Sequence, residues 1–115
     1  MSAQSIPVLT LTLGLTGTVA ANRFAKVDGT VSGAGENALG AVRTGGVSGD
    51  KVPCDVLGTT IVESGAAVTA GDSLKADSTG RAITWASSGA KVGIALQAAT
   101  AAGQFIEVLL IPNVA

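Results

Sequence analysis

The sequence predicts an all-β domain, a small barrel or sandwich built from two similar halves with at most a short helix. Three observations predict it. Short apolar runs recur at near-regular spacing, the segments between them are rich in Gly, Ser, Asp and Asn, and the second half echoes the first.

The echo is residue by residue. The stretch RFAKVDGTVSGAGENALGAVRTGGVSGDKVPCDVLG runs lysine, aspartate, a turn-rich gap, apolar-Gly-apolar, a second gap and a strand-like run. The stretch DSLKADSTGRAITWASSGAKVGIALQAATAAGQFIEVLL repeats that order. Lys26 and Asp28 match Lys75 and Asp77, Gly40 matches Gly93, and Gly49 matches Gly103. The copies span residues 23–58 and 72–111, a period of roughly 50 residues and too few repeats for a solenoid. Two such units closing on each other bury the apolar face that each alone leaves open.

The first strand is expected over residues 6–13, where IPVLTLTL sets Val8, Thr10 and Thr12 on one face and Leu9, Leu11 and Leu13 on the other. With the polar SAQS before it, this strand can complete its own sheet or lie on another chain's. Residues 1–17 therefore read as an N-terminal strand and arm, and residues 18–115 as a single β domain. Further strands are expected over 18–27, 39–43, 51–56, 59–63, 72–76, 81–86, 91–97 and 104–111. DGT, SGAGEN, TGGVSGD, ESGAAVTAGD, DSTGR and ASSGA separate them, supplying positive φ or side-chain turns. The Ala-rich pieces around Ala20 and Ala98 accommodate one helical turn equally well. Pro53 removes a ladder donor and points to an edge or bulge. The last strand, FIEVLLIP, is apolar on both faces apart from Glu107, which marks it as central or covered on both sides. Glu107 is then expected at a rim or beside a basic residue.

Composition narrows the function. Of 115 residues, 47% are hydrophobic and only 13% charged, with a net charge of -1. A surface so sparsely charged suggests that partner subunits cover part of it. Basic and acidic residues are scattered singly, which leaves no electrostatic footprint for nucleic acid or anionic lipid. No run reaches the ~18 uninterrupted apolar residues of a membrane-spanning helix. The N-terminus lacks the basic region of a signal peptide, and the lone cysteine cannot form an internal disulfide, so folding in the cytoplasm is expected.

The usual chemistry is missing. With no histidine and no tyrosine, the commonest general base and the usual nitrogen metal ligand are lacking. Cys54 without a histidine has no partner for a thiolate pair and reads as a small buried hydrophobe. Asp28, Asp50, Asp55, Asp72 and Asp77 are accounted for as turn residues, without the converging oxygens of a calcium site. Neither Gly-rich stretch has phosphate-loop spacing. No catalytic, cofactor or metal residue is assigned, and the chain is not expected to be an enzyme. Trp85, the only tryptophan, reads as core, with an interface anchor as the other reading.

The run AGDSLKADSTGRAITWASSGAKVGIALQAATAAGQFIEVLL resembles the capsid cement, or decoration, proteins of tailed phages. It has Gly-Asp before an apolar residue, a turn ending Thr-Gly-Arg, apolar-Gly-Ile-Ala, and a Gly-terminated turn before the last strand. Residues 81–97 are also similar to the Trp-containing strand and Val-Gly-Ile strand of lambda-type head decoration proteins. The opening LTLTLGLTGTVAANRFAKVDG and the later GDKVPCDVLG fit the first half of the cement family. The N-terminus departs from the lambda-type pattern, being short and strand-like rather than a long polar arm. The resemblance implies a β-rich virion protein, made in the host cytoplasm, that binds the outside of the phage head without cofactor, nucleic acid or membrane. Its implied partners are the major capsid protein and itself, as a homotrimer or a dimer. The contact residues expected on this reading are Ile6, Val8, Leu9, Leu11, Leu13 and Trp85. The alternative is a tail or baseplate module or a carbohydrate-binding β domain; the scarcity of aromatic rings argues against sugar.

Overall fold

The computed structural model describes residues 4–113, and these form eight strands and no helix. In chain order they are β1 (Pro7–Gly14), β2 (Arg23–Ala25), β3 (Gly40–Val42), β4 (Lys51–Glu63), β5 (Ser73–Ala76), β6 (Ala82–Thr84), β7 (Gly93–Ala95) and β8 (Phe105–Leu110). The all-β expectation holds. The short helices that the Ala-rich pieces allowed do not form. Asn22 takes a positive φ of 61° in a turn beside Ala20, and Ala99 next to Ala98 bridges Val68.

The sheet path runs β2-β3-β4-β8-β7-β5-β6, with β1 attached to β4. Every ladder is antiparallel. The strand order β2-β3-β4-β1 is matched by β5-β7-β8-β4, so β4 serves as third strand of one arrangement and fourth of the other. Sequence reading splits this strand at Leu57 and Gly58. The chain instead runs through, because glycine accepts φ 95° there without leaving the ladder. The expected strand over residues 18–27 is shorter than its apolar run: only Arg23–Ala25 pair continuously, and Val19 makes a single bridge to Gly46.

β4 is the spine. Cys54 pairs with Leu11 of β1 on one edge and with Val42 of β3 on the other. Further along, Thr59 pairs with Leu109 of β8 and exchanges backbone hydrogen bonds with Ile6 at 3.0 and 3.1 Å. Pro53 thus lies in a central strand rather than at an edge. Its carbonyl accepts from the Arg43 N–H at 3.0 Å just past the end of β3, where the missing proline donor breaks no β3 bond. The two ends of the sheet path meet. The Phe24 N–H donates to the Gly80 carbonyl at 2.8 Å, Ser64 bridges Ala82, and the sheet is nearly closed into a barrel.

Two apolar clusters fill it. The larger gathers Phe24, Val62, Leu74, Val92, Ile106 and Val108 with several alanines. The smaller holds Leu13, Leu15, Val19, Val42, Val52, Cys54 and Val56. Small residues let the strands approach closely: a Cβ on Gly40 would overlap the Asp55 carbonyl, and one on Gly93 would sit 2.8 Å from the Leu109 carbonyl. The aspartates Asp28, Asp50, Asp72 and Asp77 hold turns, each accepting a backbone N–H within three residues or fewer at 2.9–3.0 Å. Asp55 does not. It is fully buried inside β4.

Candidate functional site

β1 is the least covered strand of the barrel. Five consecutive residues, Val8 to Thr12, are exposed, with Val8 at 77%, Leu9 at 43% and Leu11 at 41%. Ile6, just before the strand, is 57% exposed. β1 pairs with β4 alone, so its far edge has no partner strand among the described residues. No charged residue precedes Arg23, and Pro7 and the two register shifts of the β1–β4 ladder lie at or before the Leu9/Thr10 step, so the edge from Thr10 onward carries neither charge nor proline to discourage another strand.

The position of β1 is nonetheless fixed. Thr10 donates from Oγ1 to Asp55 at 2.8 Å, Thr60 donates to the same carboxylate at 2.9 Å, and Arg43 donates from Nε at 2.9 Å. Ser5 Oγ lies 3.1 Å from Arg43 Nη2, which brings the arm into the same knot. Burial pushes the Asp55 carboxyl up, but the hydrogen bonds from Arg43, Thr10 and Thr60 and the guanidinium charge outweigh it and hold the pKa below its ordinary value. Asp55 therefore stays ionised and ties arm, β1, β3 and β4 together. Gly58 completes the fixing, since its bare Cα lets the backbone of Ile6, Pro7 and Val8 pass directly over it.

Of the residues singled out by sequence, the structure brings Ile6, Val8, Leu9 and Leu11 together on the arm and β1. Leu13, on the same strand, is 5% exposed and belongs to the core. Trp85 stands apart, just after β6, four strands along the sheet path from β4. It is half-buried rather than core: its indole N–H donates to the Gly89 carbonyl at 2.9 Å and Lys91 Nζ lies 4.3 Å above its ring.

Sequence reading missed the rest of this surface. Ile94, Leu109, Thr59 and Ile6 are neighbours in one row across β7, β8, β4 and the arm, with their side chains on a common outward face. Leu109 is 37% and Phe105 54% exposed, so β8 is central but not covered on both sides. The alternation in FIEVLL carried that signal, because Phe105, Glu107 and Leu109 share one face. Glu107 between them is buried rather than at a rim. Its Oε1 accepts from the Gln4 backbone N–H at 3.3 Å, and it enters none of the ion pairs among the described residues. Leu9, Leu39, Val56, Leu57 and Pro112 line an adjoining apolar groove of about 330 Å³.

Chemically the site offers backbone hydrogen bonds and apolar side chains. Among the described residues no group of three or more Cys, Asp or Glu side chains is placed to hold a metal ion. Cys54 is buried in the core, where desolvation and then the neighbouring Asp55 charge push its thiol up to about 12.

The described residues thus form a nearly closed barrel with one uncovered, uncharged strand. The chain belongs to the phage cement proteins, whose family model matches residues 3–110. It is a structural protein of the phage head. Its fold is similar to a solved structure described as the head fiber gp8.5 N base in bacteriophage phi29, with a TM-score of 0.69 at 19% identity, covering 90% of this chain and 93% of that one. No curated protein matches the chain.

Proposed function

We propose that this protein binds the exterior of the phage head at positions between capsomers and stabilises the shell against the pressure of packaged DNA. The observation that carries the proposal is the uncovered arm and β1 surface, Ile6, Val8, Leu9 and Leu11 beside Leu57 and Leu109, in a chain of the cement family. A contiguous exposed apolar surface on a small barrel marks an interaction site, and in this family the partner at hand is the head.

The mechanism is multivalent clamping. A shell under internal pressure fails where capsomers meet, and a clamp holding several subunits must be released from all of them together. Linked weak contacts raise the effective affinity by orders of magnitude without any single strong one. The arm and β1 supply one contact, and the loops at residues 32–37 and 44–50, with the Trp85 turn, supply contacts to neighbouring subunits. Self-association, as a homotrimer or a dimer, multiplies these contacts further.

The test is to titrate purified protein onto heads that lack it, count bound copies, and heat or osmotically shock the particles. Saturable binding with improved retention of DNA supports the reading. Removing residues 2–8 is expected to lower occupancy sharply; unchanged occupancy overturns the role given to the arm.

A further inference from the structure

We infer that the free edge of β1 pairs with the β1 edge of a second copy of this chain, antiparallel and about a two-fold axis through Leu11. This partner takes the backbone edge of the strand and packs on Leu11, while Ile6 and Val8, 57% and 77% exposed, remain available to the head.

The edge itself comes first. The Leu15 N–H donates to the Asp50 carbonyl at 2.8 Å, and the register continues through Leu13 opposite Val52 and Leu11 opposite Cys54. Backbone groups alternate sides along a strand, so Leu11 and Leu13 direct theirs to β4 while Thr10 and Thr12 direct theirs away. The N–H and C=O groups of Thr10 and Thr12 thus form a ladder with no partner strand among the described residues, on a strand with no charge and no proline after Pro7. Such an edge is a template for another strand.

The sequence of the edge says which strand. Residues 9–13 read Leu-Thr-Leu-Thr-Leu, a palindrome centred on Leu11. An antiparallel pair about Leu11 places Leu11 opposite Leu11, Leu9 opposite Leu13, and Thr10 opposite Thr12. The two threonine pairs then fall at the hydrogen-bonding positions of the free edge, each able to exchange both backbone bonds, while the leucines meet at the close, non-hydrogen-bonded positions. Ladder and side-chain pattern agree on the same axis, as an isologous contact requires. The pairing also accounts for Leu11. It shares a face with fully buried Cys54 yet is 41% exposed, because the sheet stops one strand short of covering it.

The test uses the full-length protein in solution and does not depend on head binding, so its failure is separable from failure of the cement reading. Light scattering across a concentration series is expected to show twice the 11.1 kDa chain mass. Thr12→Pro removes a free-edge donor and none of the bonds to β4, and is expected to give a monomer with an unchanged strand spectrum. Leu11→Cys is expected to cross-link copies under mild oxidation, because non-hydrogen-bonded partners sit about 4.5 Å apart at Cα, within disulfide reach. Thr12→Cys is not, since its symmetry mate lies about 8 Å away, two strand steps along and one strand across. A monomeric wild-type chain, a trimer that Thr12→Pro leaves intact, or equal cross-linking at both positions overturns the inference. A wild-type monomer whose head binding is lost in Thr12→Pro also overturns it and assigns the edge to a capsid strand. If Thr12→Pro does not fold, the cysteine pair still decides.

Discussion

Arg43 reaches across from the end of β3 to the fully buried carboxylate of Asp55, Nε to Oδ2 at 2.9 Å, and the same carboxylate takes the Thr10 hydroxyl that anchors the exposed strand. The charge at the centre of β4 thus fixes the exposed arm and β1 surface. Asp55→Asn keeps the shape and removes the charge. It is expected to cost about 1.5–3 kcal/mol, the range for hydrogen bonds to a charged group, in urea unfolding at neutral pH. Amide exchange is expected to quicken at residues 5–12 before it does in β5 to β8.

The pH dependence follows from the same group. Asp55 has its folded-state pKa held below the ordinary value, and so has Asp77, where burial is outweighed by hydrogen bonds from the Arg81 and Thr79 backbone N–H groups. Each contributes stability that is fully present above the ordinary carboxylate range and is lost as pH falls through the folded-state pKa. The unfolding midpoint is expected to be flat from neutral pH to about 5 and to fall below about 4, more gently in Asp55→Asn. A midpoint that rises on acidification contradicts the assignment.

Close strand approach makes a sharp steric prediction. Gly40→Ala places a Cβ on the Asp55 carbonyl in the middle of the sheet, where overpacking costs about 1–3 kcal/mol. Gly14→Ala, whose Cβ meets nothing within 4 Å, is expected to be close to neutral. Thermal unfolding of the two variants side by side checks the difference.

Gly58 joins both effects, since φ is 95° and a Cβ would sit 2.7 Å from the Val8 nitrogen. Gly58→Ala is expected to lift residues 5–9 from β4, seen as local amide exchange, and to reduce the number of copies on heads. Global unfolding with no local phase contradicts this.

Cys54, with its thiol pushed up to about 12 in a dry core, is expected to resist alkylation at pH 8 until the protein unfolds. Mass spectrometry after a short pulse of reagent along a urea series reads this directly.

Much of the barrel was legible because short β-domains advertise their turns. Asp28 and Asp77, matched by sequence, each cap the turn that follows with the hydroxyl and N–H of a nearby threonine, Thr30 and Thr79. Gly40 and Gly93, also matched, both lie where a strand presses on its neighbour's carbonyl. What was not legible depends on tertiary pairing. Asp55 looks like the other aspartates in sequence, and only the convergence of Thr10, Arg43 and Thr60 makes it a buried anchor. The strand break expected at Gly58 failed because local turn propensity yielded to ladder pairing on both edges. Trp85 carried a core signature by type, yet the short β6 ends at Thr84 and leaves it in a turn under Lys91. The arm and β1 were singled out by their alternation; the exposed row continuing to Leu109 and Ile94 was hidden because strand order cannot be read from spacing.

The most direct test is a cryo-electron microscopy reconstruction of undecorated heads saturated with this protein. Symmetric density is expected on the outer surface between capsomers, with the arm and the outward side chains of β1 at the contact. Saturating protein that leaves the heads bare, or density in which Ile6 and Val8 face solvent, contradicts this.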